Sequence, residues 1–173
     1  MTESERSAPG FSCSECGAWH NEMPLAFHPP APAAWSPDMD GADDCDLASD
    51  ACVIHGEHFF VRGLIRVPIV GHNEHFEWGV WASLSEDNFW QTMDAWESEG
   101  REATPPMFGW LSTELPTYAE STLNLRTLVH TQPVGVRPHV EVEPTDHPLA
   151  AEQRNGLTWD ELASRVDLLM RED

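Results

Sequence analysis

Lysine is missing altogether from this chain of 173 residues. Its nine basic residues, all arginine, stand against thirty Asp and Glu, and the formal net charge is −21. The arginines are scattered along the sequence, so no basic patch is available to bind a phosphate backbone. We therefore expect no nucleic-acid partner. The acidic surface is consistent with salt adaptation, with codon bias towards arginine, or with a basic protein partner.

Long apolar runs are missing as well. No stretch approaches the roughly 20 apolar residues that cross a bilayer, and residues 1–10 lack the apolar core of a signal peptide. We expect a cytoplasmic protein with no membrane partner. In that compartment four cysteines indicate metal binding or free thiols more than disulfides. Hydrophobic residues make up 40% of the chain and include eight Trp, which is typical of a folded domain.

The most specific motif is a C-x-x-C-G turn at residues 13–17, followed by His20. Two thiols at this spacing, with a glycine that permits a tight turn, are typical of half a zinc site. The alternatives are reduced structural thiols or a redox pair. No βαβ pattern surrounds the motif, which disfavours the redox pair.

The other half of the site has several candidate donors. Cys52 is favoured as the third ligand because it begins an apolar run, where a strand would hold its sulfur rigidly. His20 is favoured as the fourth, and Cys45 or His55 could substitute for it. We therefore predict one structural Zn²⁺ per chain in a closed site. Its ligands would be Cys13, Cys16, His20 and Cys52.

Hydrophobic periodicity predicts the body of the protein. Alternating apolar residues predict strands at 58–69 and 75–84, with two further strands near 123–131 and 134–143. Ser85 is a predicted helix N-cap, and Thr158 with Glu161 forms a capping box for a C-terminal helix. A short turn is predicted at 148–154.

These elements predict an α+β fold. It would be a single domain with an N-terminal zinc-knuckle-like segment, an antiparallel sheet and two main helices. Residues 1–10 would be a disordered leader. Residues 11–56 would form the metal-binding, Pro-rich segment, and residues 57–173 would form the α+β body packed with it.

Three functions are compatible with this pattern. The favoured one is a non-enzymatic domain that binds a protein or a small molecule through a sheet face near Arg62 and Trp81, with Arg137 and His147 as further candidates. The second is a metal- or histidine-dependent enzyme, which would use His139, Glu141 and His147 with Arg62. The third is an acidic immunity-type protein that binds a basic toxin, an idea that rests on net charge alone.

A series of ordered motifs resembles a bacterial family of uncharacterised proteins, domain of unknown function 2199. The resemblance spans about residues 11–171. It is carried by C-x-x-C-G-x-x-H at 13–20, D-x-C-x-I at 50–54, F-x-R-G at 60–63, W-G-V-W at 78–81, P-x-F-G-W-L at 106–111, Arg137-Pro138 and H-P-L at 147–149. The resemblance implies a single bacterial domain with a metal-type N-terminal end and names no substrate.

Overall fold

A computed structural model describes residues 11–12, 19–20 and 26–171. Two short strands, β1 (Phe11–Ser12) and β2 (Trp19–His20), pair antiparallel with each other. The remaining strands belong to one sheet: β3 (Ala26–Phe27), β4 (Asp46–Leu47), β5 (Ala51–Ile54), β6 (His58–Pro68), β7 (His75–Leu84), β8 (Met107–Leu111), β9 (Arg126–His130) and β10 (His139–Val142). The helices are α1 (Glu86–Asp94), α2 (Pro148–Asn155) and α3 (Trp159–Arg171).

Five of these strands close into a ring. The order is β6, β7, β8, β9, β10 and back to β6, and every pairing is antiparallel except that of β10 with β6. The closing contact pairs His139 with Leu64, and the Leu64 amide donates to the Pro138 carbonyl at 2.9 Å. The fold is therefore a mixed five-stranded barrel with flanking strands and three helices.

The prediction of an antiparallel sheet with two main helices was wrong. The strands at 58–68 and 75–84 form as predicted, but β3 and β10 pair parallel with the barrel strands. Strand β8 lies in a segment for which no element was predicted, and the predicted turn at 148–154 is the helix α2. An alternating pattern identifies the buried face of a strand. It does not identify the neighbouring strands, because a long strand can pair with two different strands along one edge.

Strands β6 and β7 are long enough for each to serve two partners along one edge. On β6, residues 58–61 pair with β5, and Leu64 meets β10 further along. Gly63 lies at this junction, where an added Cβ would sit 2.8 Å from both the Pro138 oxygen and the Val140 Cγ2. Only glycine allows the two backbones to approach this closely without displacement. The barrel therefore closes at a position that tolerates no side chain.

The barrel interior is the main core. Inward residues of β6 and β7 are at most 7% exposed, and α1, α2 and α3 pack apolar side chains against the same cluster. The inward set on these two strands is Phe59, Val61, Ile65, Val67, Phe76, Trp78, Val80, Ala82 and Leu84. Burial of this face accounts for the period-2 pattern of the sequence.

A second, smaller core lies on the outside of the barrel. Cys52, Ile54, Phe60 and Trp81 are at most 5% exposed, and side chains from residues 35–47 cover them. The outer face of β6 and β7 is therefore not free along its whole length. The Pro-rich segment that follows β3 packs over one end of it, which a strand pattern alone does not indicate.

Helix termini follow the local sequence. The Ser85 hydroxyl accepts a hydrogen bond from the Asn88 amide at 3.2 Å, as an N-cap does. At the start of α3, the Thr158 amide donates to Glu161 Oε2 at 3.0 Å, and the Glu161 amide donates to Thr158 Oγ1 at 3.2 Å. The predicted cap and capping box are both present. No helix in the described part of the chain has the length and apolarity needed to span a bilayer.

Candidate functional site

Only part of the predicted zinc site can be placed. Cys13 and Cys16 lie outside the described residues, as does the side chain of His20, whose backbone is in β2. Cys52 lies on β5 and is 1% exposed. Burial, together with Asp46 and Cys45, raises the pKa of the Cys52 thiol to about 11. A nearby cation would be needed to ionise this sulfur.

Arg62 and Trp81 are neighbours, as predicted, but both bind main-chain carbonyls of the protein itself. They are paired across β6 and β7, and the Arg62 guanidinium lies 5.6 Å from the centroid of the Trp81 ring. Arg62 donates to the Ser49 carbonyl at 3.0 Å, and both Arg62 and Trp81 donate to the Pro29 carbonyl, at 2.9 and 3.1 Å. The Trp81 ring is fully buried, so it offers no contact area to a partner.

Arg137 lies at the surface and is already paired. Its Nε donates to Asp50 Oδ1 at 2.8 Å. The two residues line a cleft of about 390 Å³, together with Trp96, Arg101, Gly135 and Val136. Arg101 does not act as a ligand group here, because it donates to the carbonyls of Trp96, Gln132, Pro133 and Val136.

His147 is not a surface residue. It is 5% exposed and forms the N-cap of α2, where its Nδ1 accepts from the Leu149 amide at 3.0 Å. Its Nε2 lies 3.2 Å from the Glu120 carbonyl, which fixes the tautomer with the proton on Nε2. Both ring nitrogens are therefore engaged in holding the start of α2.

Three of the four residues of the enzyme alternative, all except His139, are engaged with other groups. Glu141 Oε1 lies 2.9 Å from His130 Nε2, and Glu141 Oε2 lies 3.7 Å from Arg154. Arg62 is bound to main-chain carbonyls, and His147 has no free ring nitrogen. These contacts leave His139 as the one member of the set with no hydrogen bond to its ring from the described residues.

The structure instead gathers cationic side chains on the outer face of β6, β7 and β10. Cross-strand pairs place Arg66 beside Glu77 and Pro68 beside His75, and His139 pairs with Leu64, two positions before Arg66 on β6. His28 lies over Gly79, where an added Cβ would overlap its Nδ1. We call this surface the Arg–His face; its cationic members are His28, Arg66, His75 and His139, with Arg62 and Arg137 at one end.

The electrostatics of this face confirm that its members are close together. Burial and then the guanidinium of Arg66 lower the pKa of both His75 and His139, and Glu77 opposes this shift. Burial, followed by Arg137 and Arg62, lowers the pKa of His28. The histidines therefore lose their protons more readily than free imidazole does, because burial and, to a lesser extent, neighbouring arginines disfavour the charged form.

Arg66 has spare hydrogen-bonding capacity. Its Nη2 lies 3.3 Å from His75 Nδ1, and its Nε lies 3.8 Å from Glu77 Oε1, beyond hydrogen-bond distance. Among the described residues, none makes a hydrogen bond to the His139 ring. A guanidinium with free N–H groups, beside the His139 ring, can donate hydrogen bonds to an anionic oxygen.

This face was not predicted from the sequence. His139 and Glu141 were considered only as possible catalytic residues. Alternation placed Arg62 and Arg66 on the outer side of β6, which is correct. Alternation could not show that His28 and His139 lie on this face, because the parallel pairings of β3 with β7 and of β10 with β6 bring them there.

Comparison with known proteins gives a family and nothing more specific. No curated protein and no solved structure matches the chain. A family model described as an uncharacterized protein conserved in bacteria (DUF2199) matches residues 12–157. That match covers most of the 173 residues and includes the C-x-x-C motif and the barrel. The chain therefore belongs to the bacterial family DUF2199, as its motifs indicated.

Proposed function

We propose that the protein is a non-catalytic binding domain that takes an anionic group, a carboxylate or a phosphate, on the Arg–His face. The observation that carries this proposal is the concentration of His28, Arg66, His75 and His139 on one surface of a protein with a net charge of −21. The lowered pKa values leave these histidines mainly uncharged at neutral pH, and their protonation beside Arg66 costs free energy unless an anion binds there.

The ligand class follows from the donors. Arg66 offers a planar pair of N–H groups suited to two oxygens of one carboxylate or phosphate. The surrounding surface is acidic, which disfavours an extended polyanion such as nucleic acid and favours a single small anionic group. Glu77 is the acidic residue paired with Arg66, and it would be displaced or would hold a proton when an anion binds.

Sulfate is a suitable probe because it stays a dianion across the relevant pH range. We expect sulfate to shift the imidazole resonances of His75 and His139 in a saturable manner. Binding should strengthen as the pH falls through the lowered pKa values of these histidines, since an anion favours their protonated forms. Arg66→Gln should weaken binding about tenfold or more, the loss expected for a charge-assisted hydrogen bond of about 1.5–3 kcal/mol.

The matched control is Arg126→Gln. Arg126 lies on β9, with its guanidinium 5.5 Å from the Trp110 ring centroid, away from the Arg–His face. It removes the same charge and should leave sulfate binding within about twofold. Equal weakening by both variants would mean that only net charge matters, and the proposal would then be abandoned. Parallel titrations with acetate and inorganic phosphate distinguish the two ligand classes.

We also propose that one structural zinc holds the N-terminal segment, with Cys13, Cys16, His20 and Cys52 as ligands. The C-x-x-C-G-x-x-H motif supports this, as does the burial of Cys52 on a regular strand, where its sulfur has a fixed position. Elemental analysis of chelator-washed protein should give about one zinc per chain. The content should fall to near zero in Cys13→Ser/Cys16→Ser, and metal-free protein should melt at a lower temperature. An unchanged zinc content in that variant would exclude this ligand set.

A further inference from the structure

A second cluster of metal-ligating side chains lies at the open end of the β4–β5 hairpin. Asp44, Cys45 and His55 each place one donor atom within 4.8 Å of the other two. The Cys45 sulfur lies 3.7 Å from His55 Nδ1 and 3.6 Å from Asp44 Oδ1, and Asp44 Oδ2 lies 3.3 Å from His55 Nδ1. Ten positions separate Cys45 from His55, so only folding brings the three residues together.

The hairpin fixes this arrangement through its backbone. Asp46 pairs with Val53 and Leu47 with Cys52, so the residues just before β4 face those just after β5. The Gly56 amide donates to the Asp44 carbonyl at 2.9 Å, and the His55 amide lies 3.5 Å from the Cys45 sulfur. Main-chain contacts therefore hold the backbones of the three residues close together.

The separations match one face of a tetrahedron around zinc. Bonds of about 2.3 Å to sulfur and about 2.0–2.2 Å to nitrogen and oxygen place tetrahedral donors about 3.3–3.6 Å apart. The Cys45 sulfur and His55 Nδ1 are 3.7 Å apart, beside this range. Asp44 has one oxygen 3.6 Å from the sulfur and the other 3.3 Å from Nδ1, so a rotation of its carboxylate would present a single oxygen to the same point. A sulfur, nitrogen and oxygen set favours zinc over calcium or magnesium, which take oxygen ligands.

A catalytic triad explains the same cluster less well. In a Cys–His–Asp relay, the thiol and the carboxylate contact opposite ring nitrogens, so that one orients the ring while the other exchanges a proton. Here the Cys45 sulfur and the Asp44 carboxylate both contact Nδ1 of His55. Donors that converge on one point are arranged for a cation.

Burial and charge agree with this interpretation. Cys45 is half-buried against the outer core of Cys52, Phe60 and Trp81, whereas His55 and Asp44 are exposed. Asp43 and Asp46 flank the cluster and lower the electrostatic cost of bringing in a divalent ion. The open side allows an ion to enter and leave.

We propose that Asp44, Cys45 and His55 form a second, exchangeable zinc site that works without Cys13 and Cys16. The three residues occupy three tetrahedral positions, and a water molecule takes the fourth. The ligands of the proposed structural zinc are different residues, so the two sites can be tested independently.

Cobalt(II) is a suitable spectroscopic stand-in for zinc. Protein that carries its structural zinc is washed with chelator and then titrated with Co²⁺. We expect one further equivalent to bind, with a thiolate-to-cobalt charge-transfer band in the near ultraviolet and the visible bands of tetrahedral Co²⁺. Zn²⁺ should displace it, and Ca²⁺ or Mg²⁺ should not.

Variants then assign the donors. Cys45→Ser should remove the charge-transfer band, and His55→Gln and Asp44→Asn should each weaken Co²⁺ binding at least tenfold. Loss of a residue that only supports a ligand from outside the coordination shell typically lowers metal affinity 10- to 100-fold. Loss of a ligand itself should therefore lower it at least tenfold. The matched control, His58→Gln, removes an exposed imidazole and should leave Co²⁺ binding unchanged. Asp46→Asn removes a flanking charge but no proposed ligand, so it should weaken Co²⁺ binding by less than about threefold.

Three results would overturn the proposal. The first is the absence of Co²⁺ binding beyond the structural zinc in the wild-type protein. The second is a charge-transfer band that survives Cys45→Ser. The third is loss of the Cys45-dependent band in Cys13→Ser/Cys16→Ser while circular dichroism shows the barrel intact, which would place all these donors in one site. Loss of the chelator-resistant zinc alone would instead count against the ligands proposed for the structural site.

Discussion

Helix α3 is joined to α2 and to the segment between β8 and β9 by a compact polar network, and breaking it should cost the protein a large part of its stability. Arg165 donates to both oxygens of Glu152, at 2.6 Å each, and both side chains are only 15% exposed. The Tyr118 hydroxyl donates to Glu152 Oε2 at 2.5 Å, and the guanidinium lies 4.7 Å from the Tyr118 ring centroid. Burial, followed by the hydrogen bond to Glu152, raises the pKa of Tyr118, so its proton remains in place at neutral pH.

Arg165→Met keeps most of the apolar contact and removes the charge. Removing one partner of a buried ion pair typically costs about 3–5 kcal/mol because the remaining charge is left without compensation. The residual exposure of Glu152 lets some water reach it, so we expect about 3 kcal/mol for Arg165→Met. Glu152→Leu should cost a similar amount, and the double variant should cost no more than either single one, because neither charge remains buried alone.

Urea unfolding followed by tryptophan fluorescence measures these differences, since the chain has eight Trp. Arg126→Met is the control because its guanidinium lies on exposed aromatic rings, and it should change the free energy of unfolding by less than about 1 kcal/mol. A cost below about 1 kcal/mol for Arg165→Met, or costs that simply add in the double variant, would refute the claim that the three residues act as one unit.

Three smaller predictions concern the barrel closure, a helix cap and the Arg–His face. Gly63→Ala places a Cβ 2.8 Å from both the Pro138 oxygen and Val140 Cγ2, and thermal unfolding should show a loss of about 1–3 kcal/mol; an unchanged melting temperature would mean that the β6–β10 junction can open freely. Ser85→Ala removes the hydroxyl that accepts from the Asn88 amide and should cost about 1 kcal/mol in urea unfolding, whereas Ser85→Asp should retain most of the stability. The lowered pKa values of His28, His75 and His139 mean that the unfolded chain binds more protons than the folded one just below about pH 6.5, so stability should fall as the pH drops through that region. His75→Gln/His139→Gln should flatten the dependence measured between about pH 5 and 7, and an equally steep profile in that variant would assign it to other groups.

The local features of the fold were accessible from the sequence because they depend on neighbouring residues. A strand with one buried face has to alternate, as β6 and β7 do, and the Ser85 cap and the Thr158–Glu161 capping box involve residues three positions apart. The family assignment followed in the same way from short motifs at fixed spacing, and it is confirmed. The zinc ligands Cys13 and Cys16 remain a prediction, since they lie outside the described residues.

Closure of the barrel, and with it every candidate site described above, depended on the tertiary structure. A strand's sequence fixes which residues face inward but not which distant strand pairs with its edge, and the parallel contact of His139 with Leu64 joins residues 75 positions apart. That contact and the parallel pairing of β3 with β7 bring histidines from separate segments beside Arg66. Covering of the outer face turned Trp81 from an expected binding residue into a core residue, because the Pro-rich segment buries its ring. Outward-facing side chains of the same two strands thus differ in role. Some are buried, some bind main-chain carbonyls and some stay exposed, depending on which segment of the chain covers them.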